Sequence, residues 1–390
     1  MQWVVCSFGG GWKGEKTMLR FGMVGGGNGG QIGAAHYRAA LLDGQLLLSA
    51  GCFSRDWEKN VQQGQVWGVD QQRIYANAFE MAEREAARGD GIDFVVIATP
   101  NESHYAIACS FLEKGIHVFC EKPLTNVSEQ ACELTALAQR TGTLLAVNYT
   151  YSGYPMIRQA RAMVESGALG RIFKVVSEYR QDGQIIRTAN FKPWHFDPQI
   201  AGASACTANI GTHIEYLVAC MTGLRIESIA AIFDSVPKER PMETDFSAMV
   251  RYVGGATGTM WGCKTAVGED CNINIRIMGE KGSLEWSHLQ PQLLKVALLD
   301  QPVQIYAAGR DYLDAKTRAM TRLSNGQVEG YHDAFANLYR EWVRHIEDHK
   351  KGISRPPYWY PTGGDGVNGV RFVQACVKSH QQNGAWVELE

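Results

Sequence analysis

Short apolar runs alternate with longer amphipathic segments from Leu19 to Asn148. The runs are typical of strands buried on both faces of a sheet, and the intervening segments have the length and spacing of helices. The six predicted strands are LRFGMVG (19–25), LLLSAGCF (46–53), the shorter RIYA (73–76), IDFVVIAT (92–99), IHVFCEK (116–122) and LLAVNYT (144–150). This alternation predicts an α/β fold built on a doubly wound parallel sheet.

The pattern changes after Asn148. A helix at about 155–166 and a strand-like segment lead to a polar, aromatic stretch, and a helical segment, IGTHIEYLVACMTG, ends at 223. Alternating apolar and polar residues then run from 226 to 286, with glycines at the predicted hairpin turns. Two helices, 332–348 and about 366–382, close the chain. This half is predicted to be an α+β domain with a large open, mostly antiparallel sheet.

The chain is therefore predicted to have two domains, at 18–148 and 149–390, after an N-terminal extension, 1–17. The apolar part of the extension is too short for a signal-peptide core, and Lys13 and Lys16 follow it instead of preceding it. Met18 stands directly before the first strand. We expect the extension to be disordered.

Composition excludes several classes of protein. The formal net charge of −2 and the lack of a basic tract argue against a nucleic-acid partner. No apolar run reaches the roughly 18 residues that a membrane span needs. The ten cysteines form no C-x-x-C pair and have no zinc-site spacing. They are typical of reduced, mostly buried thiols, so we expect a cytoplasmic protein without a metal.

Seven glycines lie between Gly22 and Gly33, where the first strand meets the first helix. Gly25, Gly27 and Gly30 fit G-x-G-x-x-G, with Asn28 inside the pattern. A helix N-terminus offers unpaired amides and a partial positive charge, which suit a pyrophosphate. The alternative, a plain glycine-rich turn, is weakened by the surrounding series of strands and helices.

The end of the second strand is where a dinucleotide-binding domain reads the ribose. Ser54 stands where an acidic residue would hold the 2′-hydroxyl of NAD, and Arg55 follows. A small hydroxyl with a guanidinium suits a 2′-phosphate, which favours NADP over NAD. Asp56 lies close enough to leave the choice open, and Arg55 could also be an ordinary loop charge.

Two further strands end in polar residues at the edge where open α/β sheets bind ligands. ATPNESHY brings Thr99, Pro100, Asn101 and His104 to this edge, although His104 could simply begin the next helix. CEKPL brings Lys122 next to the expected position of a nicotinamide. Glu121 beside it should point to the other face of the strand. We assign all six residues to the predicted cofactor site.

Four motifs in order, GGGNGGQIGAAH, ATPNESH, EKPL and NIGTHIEYL, resemble the Gfo/Idh/MocA family over nearly the whole chain from Met18. The resemblance implies a Rossmann domain, a C-terminal open-sheet domain, NAD or NADP, and a sugar, inositol or nucleotide-sugar substrate. The family's catalytic lysine corresponds to Lys122. Its D-x-G-x-H motif corresponds to Asn209, Gly211 and His213, with Asn209 where most members carry aspartate.

The chemistry of an alcohol oxidation fits these residues. Moving a hydride to nicotinamide leaves a proton, which a histidine such as His213 can take near neutral pH. Lys122 can polarise the reacting oxygen, and Asn209 can orient a hydroxyl but cannot carry a proton. The predicted substrate wall could equally be ordinary packing, residue by residue; its members are Tyr149, Tyr151, Tyr179, Gln181, Trp194 and His195.

The sequence thus predicts an NAD(P)-dependent oxidoreductase acting on a secondary alcohol or ketone of a small carbohydrate-like molecule. Two alternatives remain: a non-catalytic dinucleotide sensor, and a redox-neutral glycosidase that holds its NAD tightly. We also expect a homodimer or homotetramer, because FSAMVRYVGGATGTMWGCK (246–264) supplies alternating apolar residues for the open face of the second sheet.

Overall fold

The structure is a computed structural model that describes residues 18–27, 29–184 and 193–389. Its N-terminal part alternates strands and helices. The strands are β1 (Leu19–Gly25), β2 (Leu46–Cys52), β3 (Phe94–Ala98), β4 (His117–Glu121) and β5 (Leu145–Asn148). The helices are α1 (Gln31–Leu41), α2 (Trp57–Val66), α3 (Ala78–Ala86), α4 (His104–Leu112) and α5 (Ser128–Thr141).

The five strands form a parallel sheet in the order β2-β1-β3-β4-β5. The prediction of a strand at RIYA is wrong. Gln71–Arg73 form a short 3-10 turn, and only Ile74 bridges to β2. Side chains hold this turn, because Arg73 and the Tyr75 hydroxyl both bind the carboxylate of Glu85.

The C-terminal part is built on a larger sheet. Its strands are β6 (Ile172–Arg180), β7 (Ile226–Asp234), β8 (Asp245–Tyr252), β9 (Thr257–Cys263), β10 (Asn272–Gly279), β11 (Gly282–Ser287), β12 (Leu293–Leu298), β13 (Gln304–Ala307) and β14 (Val387–Glu388). Its helices are α6 (Pro155–Glu165), α7 (Pro198–Ala201), α8 (Thr212–Thr222), α9 (Ala315–Arg318), α10 (Tyr331–Lys350) and α11 (Gly363–Gln381).

The nine strands lie in the order β13-β12-β11-β10-β6-β9-β8-β7-β14. Neighbours are antiparallel except β6 and β9, which run parallel at the centre of the sheet. This pair brings the carboxyl ends of two central strands to the same edge. The predicted fold class, a Rossmann-type parallel sheet with a second, mostly antiparallel sheet, is confirmed.

The two faces of the larger sheet differ from the prediction for residues 246–264. The regularly spaced apolar residues of β8, among them Phe246, Ala248 and Val250, point inward and join one core with α8 and α11. The open face instead carries a mixture, with Met249 and Ile232 exposed. The alternating apolar residues therefore belong to the core of the domain and not to its open face. The oligomer stays a prediction.

Helix α10 packs on the parallel sheet although it lies far along the chain. Tyr339 stacks on Phe119 of β4 at 4.8 Å between ring centroids, and Trp342 contacts the same ring edge-on at 5.7 Å. The predicted limits 18–148 and 149–390 stay a prediction. The packing of α10 nevertheless ties the second range firmly to the core of the first.

Two expectations lie outside the described residues: the disorder of the extension 1–17 and the role of Asn28 in the cofactor site. Within the described ranges, nine cysteines are free thiols. None of the helices in these ranges combines the length and the hydropathy that a membrane span requires.

Candidate active site

The turn between β1 and α1 is a cradle that requires glycine. Gly25 and Gly26 have φ angles of 81° and 76°, in the left-handed region. A Cβ atom on Gly27 would lie 2.8 Å from the carbonyl oxygen of Phe53, and one on Gly33 would lie 2.1 Å from that of Gly26. Backbone packed this tightly at a helix N-terminus fits a pyrophosphate.

The structure changes the role of the third glycine in the predicted pattern. Gly30 is the N-cap of α1 with an ordinary φ of −63°. Gly33, inside the first turn of α1, is the residue that permits close contact between helix and loop. The glycine pattern therefore extends one turn beyond the predicted G-x-G-x-x-G.

Ser54, Arg55 and Asp56 follow the carboxyl end of β2, as predicted. The Ser54 hydroxyl accepts a hydrogen bond from the Asp56 amide at 3.1 Å. Asp56 caps α2 by accepting from the amide of Lys59 at 3.2 Å, and this bond lowers the pKa of its carboxyl. Arg55 is exposed. The local helix thus engages Asp56 and leaves the guanidinium of Arg55 at the surface.

The loop after β3 is held by its own polar groups. The Thr99 hydroxyl accepts from Ser103 at 2.7 Å. The two ring nitrogens of His104 lie 2.9 Å from the carbonyl oxygens of Thr99 and Pro123. His104 is buried, and its two ring contacts join the loops after β3 and β4 at the sheet edge.

Pro100 and Asn101 begin the short turn before α4. The side-chain amide of Asn101 donates to the carbonyl oxygen of Ala201 at 3.2 Å. This bond connects the loop after β3 to helix α7 of the larger domain. Both residues lie at the predicted edge, with the Asn101 amide engaged across the domain boundary.

Glu121 lies at the end of β4 inside a buried network. His36 Nε2 contacts its Oε1 at 3.0 Å, and the Asn148 amide donates to the same oxygen. His36 Nδ1 pairs with the Tyr339 hydroxyl of α10 at 2.6 Å. Burial opposes ionisation of Glu121, but the bond from His36 and the Lys122 charge hold its pKa below the ordinary value. Its carboxylate is therefore held by hydrogen bonds to buried partners in the core.

Lys122 turns the opposite way and bridges the two domains. Its Nζ donates to the backbone carbonyl oxygen of Asn209 at 2.8 Å. Burial lowers the pKa of this lysine, and the nearby Glu121 partly opposes the shift. The ammonium group is therefore held at the start of the helical segment that carries Asn209 and His213.

That segment is wound more widely than an α-helix. Thr207–Gly211 form a π-helical turn that continues into α8. π-turns are rare and often occur at functional sites. His213 is 7% exposed, and within the described chain its Nδ1 makes no hydrogen bond. Burial and the charge of Lys122 hold its pKa well below 6.5, so the imidazole is neutral near pH 7.

Glu243, on the loop before β8, fixes the start of the π-turn. Its buried carboxylate accepts from the amides of Ala205, Cys206 and Thr207 at 2.9–3.1 Å. The Ser204 hydroxyl donates to it as well. A negative charge at a helix N-terminus satisfies the unpaired amides and interacts favourably with the helix dipole. Glu243 thereby sets the position of Asn209 and His213.

An aromatic wall surrounds His213. The hydroxyls of Tyr151 and Tyr179 are hydrogen-bonded at 2.8 Å. The Tyr151 ring lies edge-on to His213 at 4.8 Å and to His288 at 5.0 Å. Both tyrosines are buried, and burial raises the pKa of each hydroxyl, which keeps both neutral hydrogen-bonding groups.

The other predicted wall residues occupy different places. Tyr149 stacks on Tyr216 at 4.7 Å, and its hydroxyl lies over Gly369 of α11. Its ring lies edge-on to His213, with 6.0 Å between the ring centroids. Gln181 extends β6 and accepts a weak bond from Cys271.

Trp194 and His195 lie together in a short 3-10 turn, with their rings 4.0 Å apart. Trp194 packs against a small apolar cluster that includes Ala201 and Met242. The geometry thus groups Tyr151 and Tyr179 with His213, and leaves Trp194 in a cluster of its own.

The sequence reasoning missed four residues of the region: His36, Glu243, Lys264 and His288. His288 follows β11 and binds the carbonyl oxygen of Cys271 through Nδ1 at 2.9 Å. A single histidine or glutamate in a loop has no spacing signal. Lys264 did have one, because it comes directly after β9 as Lys122 comes directly after β4.

Comparison with known proteins decides the family. Residues 19–149 match the oxidoreductase family with an NAD-binding Rossmann fold, and residues 157–285 match the GFO/IDH/MocA C-terminal domain. The uncharacterized oxidoreductase YfiI of Bacillus subtilis is 36% identical over 95% of this chain and 97% of its own. The chain belongs to the Gfo/Idh/MocA family. This Gfo/Idh/MocA protein is an oxidoreductase, a dehydrogenase of CH–OH groups, with an NAD-binding Rossmann domain.

Two solved structures of an inositol dehydrogenase homolog from Azotobacter vinelandii are similar to this Gfo/Idh/MocA chain. The NAD⁺ complex is 35% identical with a TM-score of 0.90. The complex with NADH and myo-inositol is 34% identical with a TM-score of 0.89. Each match covers 95% of this chain and 97% of the other. The family and enzyme class predicted from the sequence are therefore confirmed.

Proposed function

We propose that this protein is an NAD(P)-dependent dehydrogenase that interconverts a ring secondary alcohol of an inositol or sugar with its ketone. The observation that carries the proposal is the bond from the Lys122 ammonium group to the carbonyl oxygen of Asn209. It brings a cation from the cofactor domain to the segment that holds a buried, neutral histidine, His213. A cation and a neutral base side by side are what alcohol oxidation requires.

Lys122, His213 and Asn209 have different roles in the reaction. Lys122 holds the reacting oxygen and stabilises the negative charge that develops on it. His213 accepts the hydroxyl proton in the oxidation and returns it in the reduction, since its lowered pKa keeps the ring neutral. Asn209 orients a substrate hydroxyl without exchanging a proton. When bound, the nicotinamide ring takes or gives the hydride.

The glycine cradle at Gly25–Gly27 and Gly33 would hold the dinucleotide, with Thr99 and Lys122 nearest the reacting end. We propose that NADP is accepted at least as well as NAD. The exposed Arg55 can grip a 2′-phosphate, whereas Asp56 is engaged in capping α2.

The substrate class rests on the wall and on a relative. Tyr151, Tyr179 and His288 present ring faces and polar tips beside His213, which suit the C–H and hydroxyl groups of a polyol ring. The Azotobacter vinelandii homolog is described in complex with myo-inositol. We propose a cyclic polyol or sugar as the substrate.

The test is a panel of inositols, sugars and nucleotide sugars, with nicotinamide absorbance followed for each cofactor. The proposal expects net cofactor reduction with at least one cyclic polyol or sugar. Cofactor binding without turnover across the panel would indicate a sensor. Cleavage of glycosides without net reduction of added NAD would indicate a redox-neutral glycosidase.

A further inference from the structure

A second lysine lies buried in the same region. Lys264 directly follows β9 and is only 1% exposed. Within the described chain its Nζ has no hydrogen-bond partner. An unpaired buried ammonium group is strongly disfavoured, so such a residue rarely persists without a ligand or a task.

The register of the central strands sets the direction of this lysine. β6 and β9 run parallel, with Tyr179 beside Gly262, so Gln181 and Lys264 follow at the next equivalent positions. Successive side chains of a strand alternate between its faces. Lys264 therefore lies on the face of the sheet that carries Tyr179, whose ring centroid is 6.2 Å from that of His213.

The charges around Lys264 come from several elements. Burial lowers its pKa to about 8, and the positive charges of Lys122 and Arg240 contribute in the same direction. Cys206 and Glu243 oppose the shift. The Glu243 carboxylate is already bound by the amides at the π-turn. The region therefore contains two lysines, and the carboxylate of Glu243 is already hydrogen-bonded to backbone amides.

We propose that Lys264 binds an anionic oxygen group of the substrate, a carboxylate or a phosphate. The inference rests on the proposed function and narrows its substrate class to acidic sugars or polyols. Lys264 is a specificity-determining residue in this account, and the hydride and proton transfers remain with the residues described above.

The experiment compares matched pairs of substrates in the wild type and in Lys264→Met. The pairs are glucose with glucuronate, glucose with glucose 6-phosphate, and myo-inositol with an inositol monophosphate, so that carboxylate and phosphate are tested separately. Lys295→Met, an exposed lysine on the same sheet, is the control. Kd values for both cofactors are measured in parallel.

The wild type should prefer the charged member of at least one pair. Lys264→Met should raise KM for that member by about thirtyfold or more and leave the neutral member within about threefold. A wild type that prefers the neutral members, or a variant that affects both members equally, would overturn the proposal. If the wild type turns over no alcohol at all, the proposed function fails. The anion site is then judged by glucuronate or inorganic phosphate raising the Tm of the cofactor-bound wild type, but not of the variant.

Two further readouts separate binding from a structural role. KM for the charged substrate should rise above about pH 8 in the wild type, as Lys264 loses its proton, and this limb should be absent from Lys264→Met. The variant should also keep or raise the Tm, because it removes an unpaired buried charge. A pH limb that persists in the variant, or a Tm several degrees lower, would contradict the proposal.

Discussion

Asn209 holds the place that the resemblance assigns to the aspartate of the family's D-x-G-x-H motif. Its amide can position a hydroxyl but cannot carry a proton. Asn209→Ala should therefore lower kcat less than the loss of either Lys122 or His213. Steady-state kinetics with saturating cofactor measure this, and a loss as large as that of Lys122→Met would contradict the assignment.

Asn209→Asp gives a sharper test of the same position. A carboxylate near His213 would favour the imidazolium and raise the pKa of the ring. His213 acts as a base only when neutral, so the acid limb of the pH–rate profile should move to higher pH. Asn209→Gln is the neutral control, and a limb that moves to lower pH would reject the assignment.

Arg55 decides the cofactor preference in this account. Arg55→Ala should weaken NADP binding by about tenfold, because a guanidinium–phosphate pair is lost, and should leave NAD nearly unchanged. Lys59→Ala, which removes another exposed cation on the same helix start, is the control. Equal losses for the two cofactors in Arg55→Ala would show that Arg55 does not read the 2′-phosphate.

Glu243 acts on an element, because its carboxylate anchors the π-turn before α8. Glu243→Gln keeps the shape but turns an amide donor toward backbone amides, so we expect a loss of about 3 kcal/mol in the free energy of unfolding. Turnover should fall with it as Asn209 and His213 lose their position. Chemical denaturation and kcat measure both, with the exposed Glu239→Gln as the control. If Glu243→Gln keeps its stability but loses kcat, Glu243 positions Asn209 and His213 without stabilising the fold. If neither stability nor kcat changes, Glu243 has neither role.

Local patterns predicted the elements that depend on local contacts. The helices and buried strands of the Rossmann part follow from apolar spacing, and the helix at 155–166 begins at Pro155, a favoured first position. RIYA failed because the pairing of Arg73 with Glu85 outweighs its short apolar pattern. The π-turn could not be predicted either, since Glu243, more than thirty residues away, holds its amides.

At the scale of the whole molecule, the site depends on contacts that no local pattern contains. Lys122 and His213 were found through motifs, whereas the bond between Lys122 and Asn209 spans 87 residues. The hydrogen-bond network around Glu121 runs through His36 to Tyr339, which lies 303 residues from His36 along the chain. Helix α10 supplies that tyrosine by packing on a sheet from the other end of the chain. Only the folded arrangement shows why a carboxylate is tolerated beside Lys122.

The open face of the nine-stranded sheet leads to a prediction about assembly. Met249 is 55% exposed and Ile232 is 62% exposed on this face. We expect a dimer or tetramer through it, which Met249→Asp should weaken by placing a charge in the contact. Light scattering at micromolar concentration measures the mass, with Val66→Asp on α2 as the control. A monomeric wild type would reject the prediction.

The central claim is that Lys122 and His213 act together on one alcohol. The most direct measurement is the pH dependence of hydride transfer at saturating cofactor and saturating substrate in the wild type, Lys122→Met and His213→Phe, with the exposed Lys114→Met as the control. The wild-type rate should show no acid limb at pH 6.5, the ordinary pKa of a histidine, because burial and the charge of Lys122 hold the pKa of His213 well below that value, and it should fall at alkaline pH as Lys122 loses its proton.

Each of the two variants should lose a factor of about a hundred or more in rate while keeping its cofactor affinity. Lys122→Met should also lack the alkaline limb, and Lys114→Met should match the wild type. A Lys122→Met enzyme that keeps both its rate and its alkaline limb, or a His213→Phe enzyme with an unchanged rate, would contradict the account.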